Sequence, residues 1–562
     1  MNKKYAPLLL VFIIVFFIAS NYTFTQNSDC LFDKDATYHA ESGAYIFQSL
    51  ANGKDFFNAL TEDYHWPPLY HVIAALLRIV FGVNFVFMTS TLFLVILLYA
   101  TYKIGELLKD KTAGLLSALI ISFYPSIYIS SRCYYLELAQ AAMTALILYF
   151  LMRLDNFTGL KYSLAFGLLL AAGLLIKQNI IIFLIGPFFV ALYYLSRHPL
   201  QNKIKARNLA LSLFICFFLA FLIYYKIYLF EPLNITSRGL ARFLTNNVDG
   251  TPCTDCYQPR VLLFHLIALK KFHIGIPGLV LFFIGLPYFL KKNEKHEYKI
   301  FLLYWFLVPF CILTATTAKF RQYSFSYLPV FAIVAAVGIT YIRPKFIKQA
   351  LVAAFLIFSF LPYACFTFDV LPKLKLALMP TNPDKCFYLY WGTTNSRASN
   401  PAYQAAEYLG KIIGPRPATI GVVFYPTDEQ PPQYTSYLNA LLRFRHGGYK
   451  VIDFIRLGKE RQLAACDYFI FIHSLDRGDK WLDYETFVYD LAQANELGSI
   501  KNGWQDKYVL TQQDRPPGRE GFLYIPRSKI EAIAGYFPNL RLVKRIGTET
   551  REFLIYKNER QR

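Results

Sequence analysis

Two stretches concentrate groups able to do chemistry: Asp33-Lys34-Asp35-Ala36-Thr37-Tyr38-His39-Ala40-Glu41 and His65-Trp66-Pro67-Pro68-Leu69-Tyr70-His71. Carboxylates beside aromatic rings, just beyond a first apolar helix, suit the removal of a proton from an acceptor hydroxyl or amine. The plainer reading is a solvated loop in which Asp33 or Asp35 caps the helix-like run that follows.

Isolated charges elsewhere bear on that choice. Arg132, Glu137, Lys177, Lys319 and Arg321 each stand at the end of an apolar run. Ionisable groups at such places are costly enough to suggest function, and cations there suit a lipid-borne phosphate. A single Lys or Arg can equally snorkel to the membrane interface. The two readings separate only if the charges gather on one side, which the spanning elements decide.

Of the 562 residues, 55% are hydrophobic and 17% charged, against roughly a quarter charged in soluble chains. Apolar runs of spanning length lie near 5–26, 85–103, 112–131, 138–153, 162–177, 178–196, 209–230, 273–290, 300–318, 324–342 and 349–368. These predict an α-helical polytopic membrane protein with about eleven transmembrane helices. The net charge of +21 sits in short clusters between apolar runs, without a basic domain or reading helix, so nucleic-acid binding is excluded. The first run lacks a small-residue cleavage site and is expected to stay as a helix.

A further run, Pro67–Phe81, is short and holds His71 and Arg78. If it lies along the membrane surface, residues 1–5, 103–111, 153–161, 197–208, 291–299 and 343–348 face the cytoplasm with 18 Lys/Arg in 50 residues. The opposite loops (27–84, 132–137, 177–178, 231–272 and 319–323) then hold 12 in 113. Were it to cross, the later basic clusters would move outside, against the positive-inside rule. The expectation is an interfacial helix, a cytoplasmic N-terminus, and all five isolated charges on the side of the acidic first loop.

Residues 376–562 read as an external soluble domain after a membrane domain of residues 1–375 with first external loop 27–84. Strand-like runs at 419–425, 451–455, 468–473 and 522–525 alternate with helical patterns at 403–413, 436–444 and 484–497, which predicts an α/β layer domain. No Gly-rich phosphate loop follows a strand, so nothing supports nucleotide binding there.

The order of these features resembles the GT-C superfold glycosyltransferases of family 39, which include lipid A aminoarabinose and protein O-mannosyl transferases. That family carries a catalytic Asp, often followed by Glu, in the first external loop. Asp35-Ala36-Thr37-Tyr38 occupies the place, with Asp33 in reserve and Ala36 departing from the Asp-Glu pair. Trp66-Pro67-Pro68-Leu69-Tyr70 is similar to the family's Lys-Pro-Pro-Leu signature, with Trp66 replacing the Lys. Gly173-Leu174-Leu175-Ile176-Lys177 resembles its Gly-rich helix ending in a phosphate-binding Lys. Ala318-Lys319-Phe320-Arg321-Gln322-Tyr323, followed by Tyr327-Leu328-Pro329, resembles its basic-aromatic segment. Glu137 falls where many members carry a second external acid. The resemblance covers roughly residues 5–345.

The resemblance implies an integral protein of the inner or plasma membrane that transfers a sugar from a polyprenyl-phosphate donor to an acceptor on the non-cytoplasmic face, with inversion. Asp35 is expected as general base, with Asp33 and Glu137 as the other candidate acids. Lys177, Arg321, Lys319 and Arg132 would hold the donor phosphate, and Tyr38, His39, Trp66, Tyr70 and Tyr323 would line the substrate. Asp33 and Asp35 also form an Asp-x-Asp pattern able to bind a divalent cation. No metal or other cofactor is expected, because the lysines and arginines already suffice for one phosphate. A transporter or flippase of lipid-linked sugars is the rival; no paired broken helices or half-to-half repeat supports it.

Cys30, Cys253 and Cys256 fall in external loops, where a disulfide is permitted, and Cys386 and Cys466 in the outer domain. A zinc site would want a second Cys pair. Cys216, Cys311 and Cys365 lie in apolar runs and are expected to pack.

Overall fold

The computed structural model describes residues 5–27, 34–51, 53, 60, 67–82, 86, 88–154, 157–196, 202–230, 263–292, 295–316, 321–368, 370, 401–413, 418–424, 449–453, 467–474, 481–483, 522–524, 540–547 and 551–558. The chain forms two compact units. One comprises residues 1–26 and 49–394, and the other residues 27–48 and 395–562. The expected boundary at 375/376 lies outside the described residues.

The first unit is helical. In chain order it contains α1 (Ala6–Asn27), α3 (Leu69–Phe81), α4 (Thr89–Leu108), α5 (Lys111–Ser122), α6 (Pro125–Ser130), α7 (Leu136–Arg153), α8 (Leu160–Ile176), α9 (Ile180–Ser196) and α10 (Asn202–Phe230). After the short α11 (Phe264–Ala268) come α12 (Gly275–Lys291), α13 (His296–Ala315), α14 (Leu328–Thr340) and α15 (Lys345–Phe368). The intervening α2 (Lys34–Ala51) falls mostly in the second unit.

Each of the eleven apolar runs falls on helix. Seven helices among the described residues are long and apolar enough to cross a membrane, and five more, α3 among them, are apolar but shorter. The unit turns large apolar side chains outward: Phe12, Phe217 and Phe346 are 69%, 68% and 72% exposed. Such a surface is untenable in water and suits lipid. By contrast α14 buries Leu328 through Ile339 without a gap, which places it at the centre.

The run 112–131 is not one helix. Tyr124 is extended (φ −67, ψ 126), and Pro125 opens α6. Proline has no N–H to continue the ladder and restricts the residue before it, so α5 ends at Ser122 and the chain re-enters helix at a new angle.

Small residues set how closely the helices pack. A Cβ on Gly338 of α14 would come 2.0 Å from the carbonyl oxygen of Gly285 in α12. Gly167 of α8 likewise faces the Ser212 carbonyl of α10 at 2.4 Å, beside a 2.6 Å hydrogen bond from Ser212 Oγ to the Ser163 carbonyl. Dispersion and interhelical hydrogen bonds of this kind hold helices together where lipid removes the hydrophobic drive. Cys216 and Cys365 are buried and Cys311 is exposed; the other cysteines singled out above lie outside the described residues.

The second unit is built on a mixed sheet. Its strands are β1 (Ala418–Phe424), β2 (Tyr449–Asp453), β3 (Tyr468–Ser474), β6 (Leu540–Gly547) and β7 (Arg551–Asn558), in the order β2-β1-β3-β7-β6; β4 (Trp481–Asp483) and β5 (Phe522–Tyr524) form a separate pair. Strands β2, β1 and β3 are parallel, and β7 and β6 add as an antiparallel hairpin. Helix α16 (Pro401–Ile413) lies against that hairpin. A bulge at Val543 interrupts the β6–β7 register, and the Val543 carbonyl accepts a 3.3 Å hydrogen bond from Tyr408. The expected strands and the helix at 403–413 coincide with these elements. The helical patterns at 436–444 and 484–497 lie outside the described residues.

Candidate active site

Helices α7 and α8 run antiparallel through a short connection, so the start of α7 and the end of α8 come together. Gly173 permits the approach: a Cβ there would lie 2.8 Å from Ile180 Cδ1 and 2.9 Å from Ile147 Cδ1. Lys177 then closes α8 in an extended conformation, its N–H still donating to the Gly173 carbonyl. Its ammonium turns toward Glu137 in the first turn of α7, and Lys177 Nζ and Glu137 Oε1 are 2.6 Å apart. The side chains are 12% and 5% exposed.

Glu137 stands in the first turn of α7, a place where the helix dipole favours acidic side chains. Glu137 Oε2 is buried and makes no hydrogen bond among the described residues. A third element covers the pair. Residues Arg321–Tyr327 form a 3-10 helix that packs along α7 and leads into α14. The Tyr323 ring centroid lies 5.9 Å from Lys177 Nζ, within cation–π range.

The Pro-Pro-Leu-Tyr-His motif braces this site from behind. Tyr70 is fully buried, and its hydroxyl lies 2.7 Å from Ser90 Oγ. Ser90 Oγ in turn accepts the Tyr135 N–H, two residues before Glu137. His71 Nδ1 and the Tyr134 hydroxyl are 3.2 Å apart, and the Tyr70 and Tyr134 rings meet edge-on at 4.9 Å. Tyr70 therefore supports the backbone that carries Glu137. Asn21 of α1 adds a second brace: its Nδ2 reaches Thr91 Oγ1 at 3.1 Å and Ser131 Oγ at 2.8 Å.

Arg132 lies shortly before the start of α7. It is fully buried, donates to Thr367 Oγ1 at 2.7 Å, and lies 4.0 Å from the Phe24 ring centroid and 5.3 Å from that of Tyr128. These contacts tie α1, α6 and α15 together.

Two histidines absent from the expected site hold the 3-10 helix. His265 of α11 lies 3.0 Å from Ser324 Oγ through Nδ1. His273 ends a wide π turn, Leu269–His273, and meets Phe325 edge-on at 5.3 Å. Both histidines are fully buried. The sequence signal was their spacing around Lys270-Lys271, His265 in the loop 231–272 and His273 at the first residue of the apolar run 273–290.

Asp35, Tyr38 and His39 lie in the first part of α2, and His39 is buried in the second unit. Arg321 opens the 3-10 helix. Asp33, Trp66 and Lys319 lie outside the described residues, as do the side chains of Asp35, Tyr38 and Arg321. Among the described residues no group of three or more His, Cys, Asp and Glu is placed to hold a metal ion.

Residues 65–225 match the family described as dolichyl-phosphate-mannose-protein mannosyltransferase. This region includes α3 through most of α10 and both members of the ion pair. No curated protein sequence matches the chain. Among solved structures the chain is similar to ArnT from Cupriavidus metallidurans bound to undecaprenyl phosphate, with 14% identity, a TM-score of 0.60, and 99% and 98% of the two chains covered. The apo state of that protein matches with a TM-score of 0.57, at 13% identity and 98% of each chain. The Archaeoglobus fulgidus oligosaccharyltransferase in its apo form matches at 12% identity and a TM-score of 0.50, over 96% of this chain and 80% of that one. The mannosyltransferase family model thus matches inside the helical unit, and over nearly its whole length the chain shares the fold of these solved structures.

Proposed function

We propose that the protein transfers a sugar from a polyprenyl-phosphate carrier to an acceptor on the non-cytoplasmic face of the inner or plasma membrane, with inversion at the anomeric carbon. The observation that carries this reading is the Glu137–Lys177 pair beneath Tyr323, built from three elements at one end of the helical unit. The similar ArnT structure was solved with undecaprenyl phosphate, a lipid of the required class.

In the proposed step Asp35 takes the proton from the acceptor hydroxyl or amine as that atom attacks the anomeric carbon. The bond from that carbon to the phosphate oxygen breaks, and the phosphate leaves with an added negative charge. Lys177, together with Arg321 and Lys319 of the adjoining basic-aromatic segment, meets that charge. Glu137 fixes the Lys177 ammonium before the carrier arrives and lowers the cost of leaving a cation in a buried place. Arg132 shapes the site by holding α1, α6 and α15 in position.

The test is transfer by the purified full chain from a synthetic polyprenyl-phosphate sugar, with the anomeric configuration of the product determined. Asp35→Asn should bind the carrier and lose transfer. Normal turnover in that variant removes Asp35 as base, and failure of the wild-type protein to consume any such donor overturns the reading.

A further inference from the structure

Helix α10 opens on positive charge. Lys203, Lys205 and Arg207 stand in its first two turns, with no acid in the first turn. The N-terminal end of a helix dipole favours anions, and like charges four residues apart on a helix repel. Both effects oppose Lys203 and Arg207, which are four apart and exposed.

The surrounding helices supply no counter-charge. The sequence has no Asp or Glu from Asn156 to Phe230, a stretch that includes all of α8, α9 and α10. Asp155, which bounds that stretch, lies outside the described residues. Among the described residues none of the three cations enters an ion pair. Lys205 is 3% exposed and shares the helix face of Asn208 and Ser212, which meets α8 and the residues before it. Its charge adds to the positive potential from a place of low dielectric, where screening is weak.

Apolar surface continues from the charges. The candidate membrane crossing of α10 begins at Lys203 itself. At helical period Lys203 and Arg207 stand in line with Phe214, Phe218 and Phe221, all three of them exposed. The Phe214 and Phe218 rings stack at 5.9 Å. One face of α10 thus presents two cations followed by a surface for acyl chains. Cations at a membrane edge also set topology, and a lone one can snorkel to water. Neither role accounts for two on one helix face without an acid. Nor does snorkelling account for Arg207, which lies 3.5 Å from Asn208 Oδ1 and so stays beside the helix.

We infer that Lys203 and Arg207 bind the phosphate of an anionic phospholipid whose acyl chains run along Phe214, Phe218 and Phe221. The lipid phosphate supplies the charge that α8, α9 and α10 lack. Continuity of cationic and apolar surface selects a lipid over free phosphate. The site is separate from the transfer chemistry, so its test does not depend on that reading.

The experiment combines native mass spectrometry and thermal unfolding of the full chain in micelles containing phosphatidylglycerol or phosphatidylcholine. The wild-type protein should retain phosphatidylglycerol preferentially and unfold at a higher temperature with it. Lys203→Gln with Arg207→Gln should lower that retention about fivefold or more. Lys203→Gln alone should give a partial loss and serves if the double variant does not fold. Lys111→Gln with Lys161→Gln removes two isolated, exposed cations at the starts of α5 and α8, and should leave retention unchanged. Lys203→Glu gives Arg207 an acid four residues away. That variant should unfold above the wild type without lipid and gain no more from phosphatidylglycerol than from phosphatidylcholine. Equal losses from the two Gln pairs would mean diffuse attraction and overturn the site, as would equal retention of both lipids by the wild type. A preference that appears only in Asp155→Asn would assign the cations to that carboxylate and overturn it too. So would stabilisation by inorganic phosphate equal to that by phosphatidylglycerol.

Discussion

Glu137 and Lys177, forty residues apart in sequence, meet at 2.6 Å where the first turn of α7 faces the residue that closes α8. A buried pair of this kind adds little net stability, but removing one partner strands a charge at a cost of about 3–5 kcal/mol. Glu137→Leu and Lys177→Met should each lower the unfolding temperature in detergent. The double variant should recover most of that loss, yet remain inactive in transfer. Recovery of both stability and transfer would show that the pair serves packing alone.

Lys177 itself distinguishes a phosphate ligand from an interfacial anchor. Lys177→Gln removes a charged hydrogen bond worth roughly 1.5–3 kcal/mol, so donor affinity and transfer should fall on the order of ten- to a hundredfold. Lys177→Arg keeps the charge but changes shape and reach, and should be partly active. Donor titration of both variants checks this, and unchanged affinity in both would assign Lys177 to anchoring.

The His265–Ser324 contact should matter through the 3-10 helix it holds. His265→Ala should raise the donor KM several-fold with a smaller change in kcat, since Tyr323 loses its fixed place over Lys177. Ser324→Ala should do the same. Combining the two should add little, because both remove one contact. Full additivity in that double-mutant cycle would separate the two residues.

Gly338 should tolerate no side chain. A Cβ would overlap the Gly285 backbone, and neither helix can yield without moving the buried face of α14. Gly338→Val should abolish the monodisperse folded protein in size-exclusion chromatography. Gly159, whose nearest neighbour for a Cβ is the Tyr162 ring at 3.6 Å, should accept Ala with little effect.

Topology follows from the basic loops. If α3 lies along the surface, engineered cysteines in 376–562 should react with an impermeant reagent outside intact cells, and one at Asn202 should not. Labelling at Asn202 alone would reverse the assignment.

Much of the helical unit was legible because apolar length is a strong signal: among the described residues every run lies mostly on helix, with a break only in 112–131. Their ends were less so. Helix α10 starts at Asn202 rather than near 209, since a helix does not stop where its apolar stretch does. The break at Pro125 was written in the sequence but masked by the apolar residues on either side. Glu137 and Lys177 were each visible as a charge at a helix end, but their pairing needed the antiparallel packing that Gly173 allows. The supporting role of Tyr70 depends on Ser90, twenty residues away, and no local pattern announces it. In the second unit β7 places Leu554, Ile555 and Tyr556 in the core, yet its charged neighbours hid it, and the Val543 bulge disrupted the alternation of β6.

Residues 27–48 belong to a compact unit otherwise made of residues 395–562, and this orders events during biosynthesis. The segment carrying Asp35 is translated early, but its folding partners emerge about 350 residues later, on the order of half a minute at ~10 residues per second. The five-stranded sheet of that unit closes last, because β7 lies between β3 and β6 and ends at Asn558. A chain stopped short of that point can thus assemble its helices while the unit that holds Asp35 is still incomplete.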